Sequence, residues 1–105
     1  MFYIYILLSE NSGYYYTGHT DDPEKRLSQH NSDEKNTFTR KFRPWKLVYK
    51  YPVSEIRSEA LIIEKYLKKR RSKSLLEKLI SKKSDIIYQK EFFSKILLKR
   101  GKKNY

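Results

Sequence analysis

Glu64 is a carboxylate out of place. It lies one residue after Ile63, three before Leu67 and four after Ala60, so helical spacing sets it on or beside an apolar stripe. A carboxylate buried there without a partner costs on the order of several kcal/mol or shifts its pKa, so a cation must stand close by. Two chemistries meet that need. One is an ion pair with Lys68 at i+4, worth roughly 0.3–0.5 kcal/mol on a helix surface. The other is ligation of a hard cation such as Mg²⁺, which takes one or two carboxylates and completes its shell with water and substrate phosphate. The chain has no cysteine and only two histidines, His19 and His30. That excludes a disulfide framework and a thiolate metal site, and argues against a His-rich zinc site.

The charge around Glu64 narrows the partner. Residues 1–40 carry four basic and six acidic side chains, a net of −2, whereas residues 41–105 carry twenty basic and six acidic, a net of +14. A total of +12 opposes compaction by self-repulsion unless a polyanion relieves it. Nucleic acid is the first expected partner and an anionic membrane surface the second. Lys65, Lys68, Lys69, Arg70, Arg71 and Lys73 cluster late in one helical segment, and Lys82, Lys83, Lys95, Lys99, Arg100, Lys102 and Lys103 extend the field. Such side chains grip a phosphate backbone without reading bases, so binding is expected to be weakly sequence-specific and steeply salt-dependent.

The elements that must position these residues fit one domain. At 105 residues and 38% hydrophobic content the core is small, but 15% aromatic residues bury much area each. Residues 2–8 (FYIYILL) read as a buried or half-buried strand, Asn11-Ser12-Gly13 as a turn, and Tyr14–Thr17 as a second strand ended or kinked at Gly18. Asp22, Pro23 and Glu24 supply an N-cap, a first helical position and an acidic first turn for a helix running to about Asn31. Residues 31–41 read as a polar loop, and Trp45–Tyr51 as a third strand punctuated by Pro44 and Pro52. Ser54 is the expected N-cap of a helix reaching about Arg71, with Ile56, Ala60, Ile63 and Leu67 inward. Ser72 or Ser74 restarts a helix, and Ile86, Ile87, Phe93, Ile96 and Leu97 line a final basic helix ending near Gly101.

The expected class is therefore α+β, a small three-stranded antiparallel sheet in the order β-β-α-β-α-α flanked by helices, plus a basic C-terminal helix. Residues 1–83 form the expected domain and 84–105 the amphipathic tail. The longest apolar run, Phe2 to Leu8, is too short to span a bilayer and lacks signal-peptide features, so a cytoplasmic location is expected.

Tyr3-Ile4-Tyr5, then Tyr16-Thr17-Gly18 with Tyr16 eleven positions after Tyr5, then Arg26 and His30 form an ordered series. The series resembles the GIY-YIG nuclease superfamily, whose two short motifs lie on adjacent strands of a small antiparallel sheet. The likeness continues through Glu59–Glu64, and through Arg43–Tyr49 it is similar to the small stand-alone members. Two positions depart from the pattern: Tyr3 replaces the first motif's glycine and Thr17 the second motif's central Ile. His19 stands where some members carry a lysine.

The resemblance implies hydrolysis of a DNA phosphodiester with Mg²⁺ or Mn²⁺. By position it implies that Tyr5 and Tyr16 are the motif tyrosines, Arg26 the phosphate-contacting arginine, Glu64 the metal ligand, and His30 a further active-site residue. Arg26 has a planar fork suited to phosphate oxygens. A tyrosine takes a proton from water only if its ordinary pKa of about 10 is lowered; Tyr16 is the expected general base, with Tyr5 sharing or orienting the water. Expected DNA contacts are His19, Arg40, Arg43, Lys68, Lys69, Arg70 and Arg71, with Thr39 beside them in the loop and Trp45 in the core. Two other functions compete: a catalytically inactive nucleic-acid-binding module of the same fold, and a membrane-surface or partner-binding protein acting through the tail. Oligomeric state is left open by the sequence.

Overall fold

In the computed structural model, which describes residues 1–32 and 37–101, the first strand occupies the centre of the sheet. β1 (Phe2–Ser9) pairs antiparallel with β2 (Tyr15–Thr20) on one side and with β3 (Trp45–Ser54) on the other. Around this sheet stand α1 (Pro23–Ser32), α2 (Thr37–Lys41), α3 (Arg57–Arg70), α4 (Lys73–Ser81) and α5 (Ile86–Gly101). The expected α+β class with a three-stranded antiparallel sheet is the one observed. Lys102 and Lys103 lie outside the described residues.

β1 explains why its sequence is apolar without alternation. Successive side chains point to opposite faces, and here both faces are covered. Ile4 and Ile6 join a core with Tyr49, Ile63, Leu67, Leu79, Phe93 and Ile96, the face served by α3, α4 and α5. Tyr5 and Leu7 join Trp45 on the other face, with Tyr16, Leu27 and Phe42 packed against them. The indole N–H of Trp45 donates to the Thr39 carbonyl at 2.7 Å, so this buried ring has its polar handle satisfied. Trp45 is a core residue, as its sequence context implies.

Helix starts follow the capping chemistry in two cases. The Asp22 carboxylate accepts from the Lys25 amide at 3.1 Å, ahead of Pro23 in the first position of α1. Ser72 Oγ accepts from the Leu75 amide at 3.1 Å and starts α4.

Elsewhere the sequence reading needs correction. β2 runs through Gly18 to Thr20, because ladder pairing with β1 outweighs the glycine's backbone freedom. β3 continues past Tyr51 through Pro52, which an edge strand tolerates because its missing N–H costs no internal ladder bond. Ser54 does not cap α3. It ends β3, accepts from the Ile56 amide at 2.9 Å and donates to Glu59, while the helix begins at Arg57. Ile56 is consequently exposed rather than part of the stripe. The supposed loop of residues 31–41 contains α2, five residues whose Thr39 is fully buried and so does not line a substrate groove.

The C-terminal segment also differs. Phe93 and Ile96 of α5 lie in the main core, with Tyr51 stacked on Phe93 at 5.2 Å. Ile86 and Ile87, expected on one helix face with Phe93 and Ile96, are instead 73% and 71% exposed. Gln89 goes inside instead, accepting from the Tyr49 hydroxyl and donating to the Lys82 carbonyl at 2.7 Å. Among the described residues no helix is long and apolar enough to cross a membrane.

Candidate active site

Strand register builds the site. Opposite Tyr5 on β1 stands Gly18 on β2, and opposite Leu7 stands Tyr16, which puts Tyr5 and Tyr16 on the α1 face. His19 pairs with Ile4 and therefore belongs to the α3 face. Because β2 is an edge strand, residues from both faces meet around it. They line one polar cleft of about 460 Å³ that includes Tyr5, Tyr16, His19, Arg26 and Glu64.

Gly18 permits the central contact. A Cβ added there would stand 2.5 Å from the Tyr5 hydroxyl oxygen, so a side chain at 18 and the Tyr5 phenol exclude each other. The glycine thus serves a close approach, and the strand does not end there. Tyr5 bonds to His30 Nε2 at 2.9 Å, and burial pushes its pKa up to about 12 against the opposing pull of Arg26. At neutral pH Tyr5 is a phenol, fit to donate.

Glu64 sits on α3 one residue past the buried Ile63, its side chain 15% exposed. Its Oε1 is 2.7 Å from His19 Nδ1 and its Oε2 is 3.2 Å from Lys68 Nζ. The i+4 ion pair read from the sequence is present, and His19 is a second partner on the same carboxylate. Lys68 Nζ also stands 5.1 Å from the Tyr16 ring centre. Arg26 lines the cleft from α1, one amine donating to Gln29 Oε1 at 2.9 Å, which holds the guanidinium in place.

Other candidates fall elsewhere. His30 is 3% exposed and lies behind Tyr5, 4.7 Å ring to ring from Tyr16, so it reaches the cleft only through those tyrosines. Arg43 is not in the cleft lining; its Nε donates to the His30 carbonyl at 3.1 Å and braces that histidine from behind. Arg40 is exposed on α2, and Lys69 and Arg70 are exposed at the end of α3, where Arg70 donates to the Tyr66 hydroxyl. Arg71 ends α3 in the left-handed conformation, φ 49°.

The cleft also holds residues that pattern reading missed: Lys25, Gln29, Arg57 and the pair Asp21 and Asp22. Gln29 was detectable as the i+3 neighbour of Arg26. Arg57 carried no local signal, since only the placement of α3 beside β2 brings it in.

The donor set can be matched to a metal. Among the described residues no three His, Cys, Asp or Glu side chains converge. A closed tetrahedral zinc site does not fit such a set. Glu64 on the wall of an open polar cleft does fit Mg²⁺ or Mn²⁺, which complete their shells with water and phosphate oxygens.

Comparison with known proteins places the chain in a family. Residues 1–79 match the family model described as the GIY-YIG catalytic domain. A UPF0213 protein of Enterococcus faecalis is 41% identical over 69 residues, spanning 64% of this chain and 76% of that protein. A UPF0213 protein of Clostridium perfringens is 40% identical over 93 residues, spanning 87% of this chain and 97% of its relative.

Proposed function

The chain belongs to the GIY-YIG family, a family of nuclease domains, and from that premise we propose that it is a divalent-metal-dependent endonuclease acting on DNA. The observation that carries the reading is the convergence of Tyr5, Tyr16, Arg26, His19 and Glu64 on one polar cleft from β1, β2, α1 and α3. Glu64 would hold Mg²⁺ or Mn²⁺, which would supply Lewis-acid stabilisation of developing negative charge.

The chain's own residues then divide the remaining work. Arg26 binds the non-bridging phosphate oxygens through its fork. Tyr5, kept protonated by burial, orients the attacking water. Tyr16, acting as its phenolate beside the Lys68 ammonium, takes that water's proton and becomes a phenol. The bond from phosphorus to the water oxygen forms as the bond to the leaving sugar oxygen breaks, and solvent in the open cleft protonates the latter. His30 holds Tyr5, and Arg43 holds His30.

Labelled duplex, single-stranded and branched DNAs, incubated with Mg²⁺ or Mn²⁺ and with chelator, test the reading. Wild type is expected to cut only with metal, and Glu64→Ala to reduce cutting to background. Tyr16→Phe turning over near the wild-type rate would remove the base assignment. Binding that is steeply salt-dependent, with no substrate cut, would instead establish the inactive binding module.

A further inference from the structure

A second cleft adjoins the first, and Tyr16 is a wall of both. It has a volume of about 610 Å³. Its aromatic side is built from Tyr14, Tyr15, Tyr16 and Phe38, and its cationic side from Lys68, Arg71 and Lys73; among the described residues no carboxylate lines it. Tyr14 and Phe38 are 52% and 47% exposed, an uncommon disposition for large rings in a small core-poor domain.

These rings are held in place rather than left loose. Phe38 lies 6.4 Å from Trp45 at an interplanar angle of 29° and 6.2 Å from Tyr16. Tyr14 meets Phe42 edge-on at 4.8 Å. Lys73 Nζ stands 5.9 Å from the Tyr15 ring centre. Lys68 joins the two clefts, bonding Glu64 in one and lining the other. Tyr16 thus stands between the Arg26 guanidinium in the first cleft and the aromatic wall of the second.

We propose that this cleft is a nucleobase subsite, in which an unpaired base beside the scissile phosphodiester stacks on Phe38 and Tyr14 while Arg71 and Lys73 hold the flanking phosphates. Stacking suits any base, because every base has a π-face, so the site adds affinity without sequence preference. In an intact duplex the bases are paired and stacked inside the helix and do not reach such a wall. The substrate class narrows to DNA that is single-stranded at the cut. The inference rests on the nuclease reading only for the position of the scissile phosphate.

The experiment uses the full chain with chelator present and a short single-stranded oligodeoxynucleotide carrying 2-aminopurine. Binding is expected to quench the fluorescence, and the single strand to bind at least about tenfold tighter than its duplex. Phe38→Ala and Tyr14→Ala are each expected to relieve the quenching and to weaken binding roughly 5- to 150-fold, the range of one base stacked on one ring. Phe38→Trp should restore both. Equal affinity for duplex and single strand, or undiminished quenching in both alanine variants, overturns the proposal. Should a ring variant lose its melting transition, Arg71→Gln and Lys73→Gln must weaken single-strand binding more than duplex binding; equal losses overturn it as well. Added Mg²⁺ separates the two readings. Duplex and single strand cut equally fast, with Phe38→Ala unaffected, would remove the subsite and leave the nuclease. Quenching with no DNA cut would remove the nuclease and leave the base-binding cleft.

Discussion

At the residue scale, Tyr5 and Gly18 share one small volume, and each limits what the other can be. Gly18→Ala would press a methyl group to 2.5 Å from the Tyr5 oxygen and 2.6 Å from its ring carbon. The phenol must then move, breaking its bond to His30. Overpacking of this kind costs roughly 1–3 kcal/mol, so the unfolding free energy measured by urea denaturation should fall by that amount while DNA cleavage is lost. Tyr5 also carries a pH signature. Its folded pKa of about 12 lies above the ordinary 10, so the protonated phenol contributes stability that is complete below pH 10 and lost as pH climbs through 12. Burial raises Tyr49 in the same direction, its hydroxyl donating to the buried Gln89. In an absorbance titration of the ten tyrosines, Tyr5 and Tyr49 should ionise only above pH 10, as the fold gives way. Tyr5→Phe should flatten the alkaline loss of stability.

At the element scale, α5 decides how large the folding unit is. Phe93 and Ile96 lie in the main core beside Ile4, Ile6 and Ile63. Phe93→Ala is expected to cost roughly 3–5 kcal/mol, a large share of the 5–15 kcal/mol typical of a whole domain. Removing residues 84–105 takes away both side chains and exposes the face of α3 that carries Glu64 on its flank. A chain ending at 83 should therefore fail to show a cooperative melting transition, which calorimetry would detect. A milder change is Ser72→Ala, which removes the cap of α4 and should cost about 1 kcal/mol in the same measurement.

At the scale of the whole molecule, the proposed function makes charge the main grip on DNA. Lys68, Arg71 and Lys73 line the aromatic cleft, and Lys69 and Arg70 are exposed nearby at the end of α3. Each phosphate they neutralise should contribute about −0.9 to the slope of log affinity against log salt on duplex DNA and about −0.7 on a single strand. Lys73→Gln should reduce that slope by close to one phosphate's share, measured by anisotropy across a salt series.

The sequence by itself determined the elements whose cause is local. The apolar run of β1, the turn at Asn11–Gly13, the Asp22-Pro23 start of α1 and the Ser72 cap of α4 each follow from a few neighbouring residues. It also singled out Glu64, because one carboxylate on an apolar stripe conflicts with burial unless it has a partner. Lys68 at i+4 was legible as one partner, and only the tertiary structure supplied the second. His19 is 45 positions away, and nothing near it announces Glu64. The same holds for β2 running through Gly18, for Pro52 inside an edge strand, and for Ile86 and Ile87 yielding the interior to Gln89. Periodicity gives the face of a helix but not the point along it where the neighbouring element begins. Arg57 enters the cleft, and His30 withdraws behind Tyr5, for that reason: helix packing against a sheet is set by long-range contacts that no short window of residues contains.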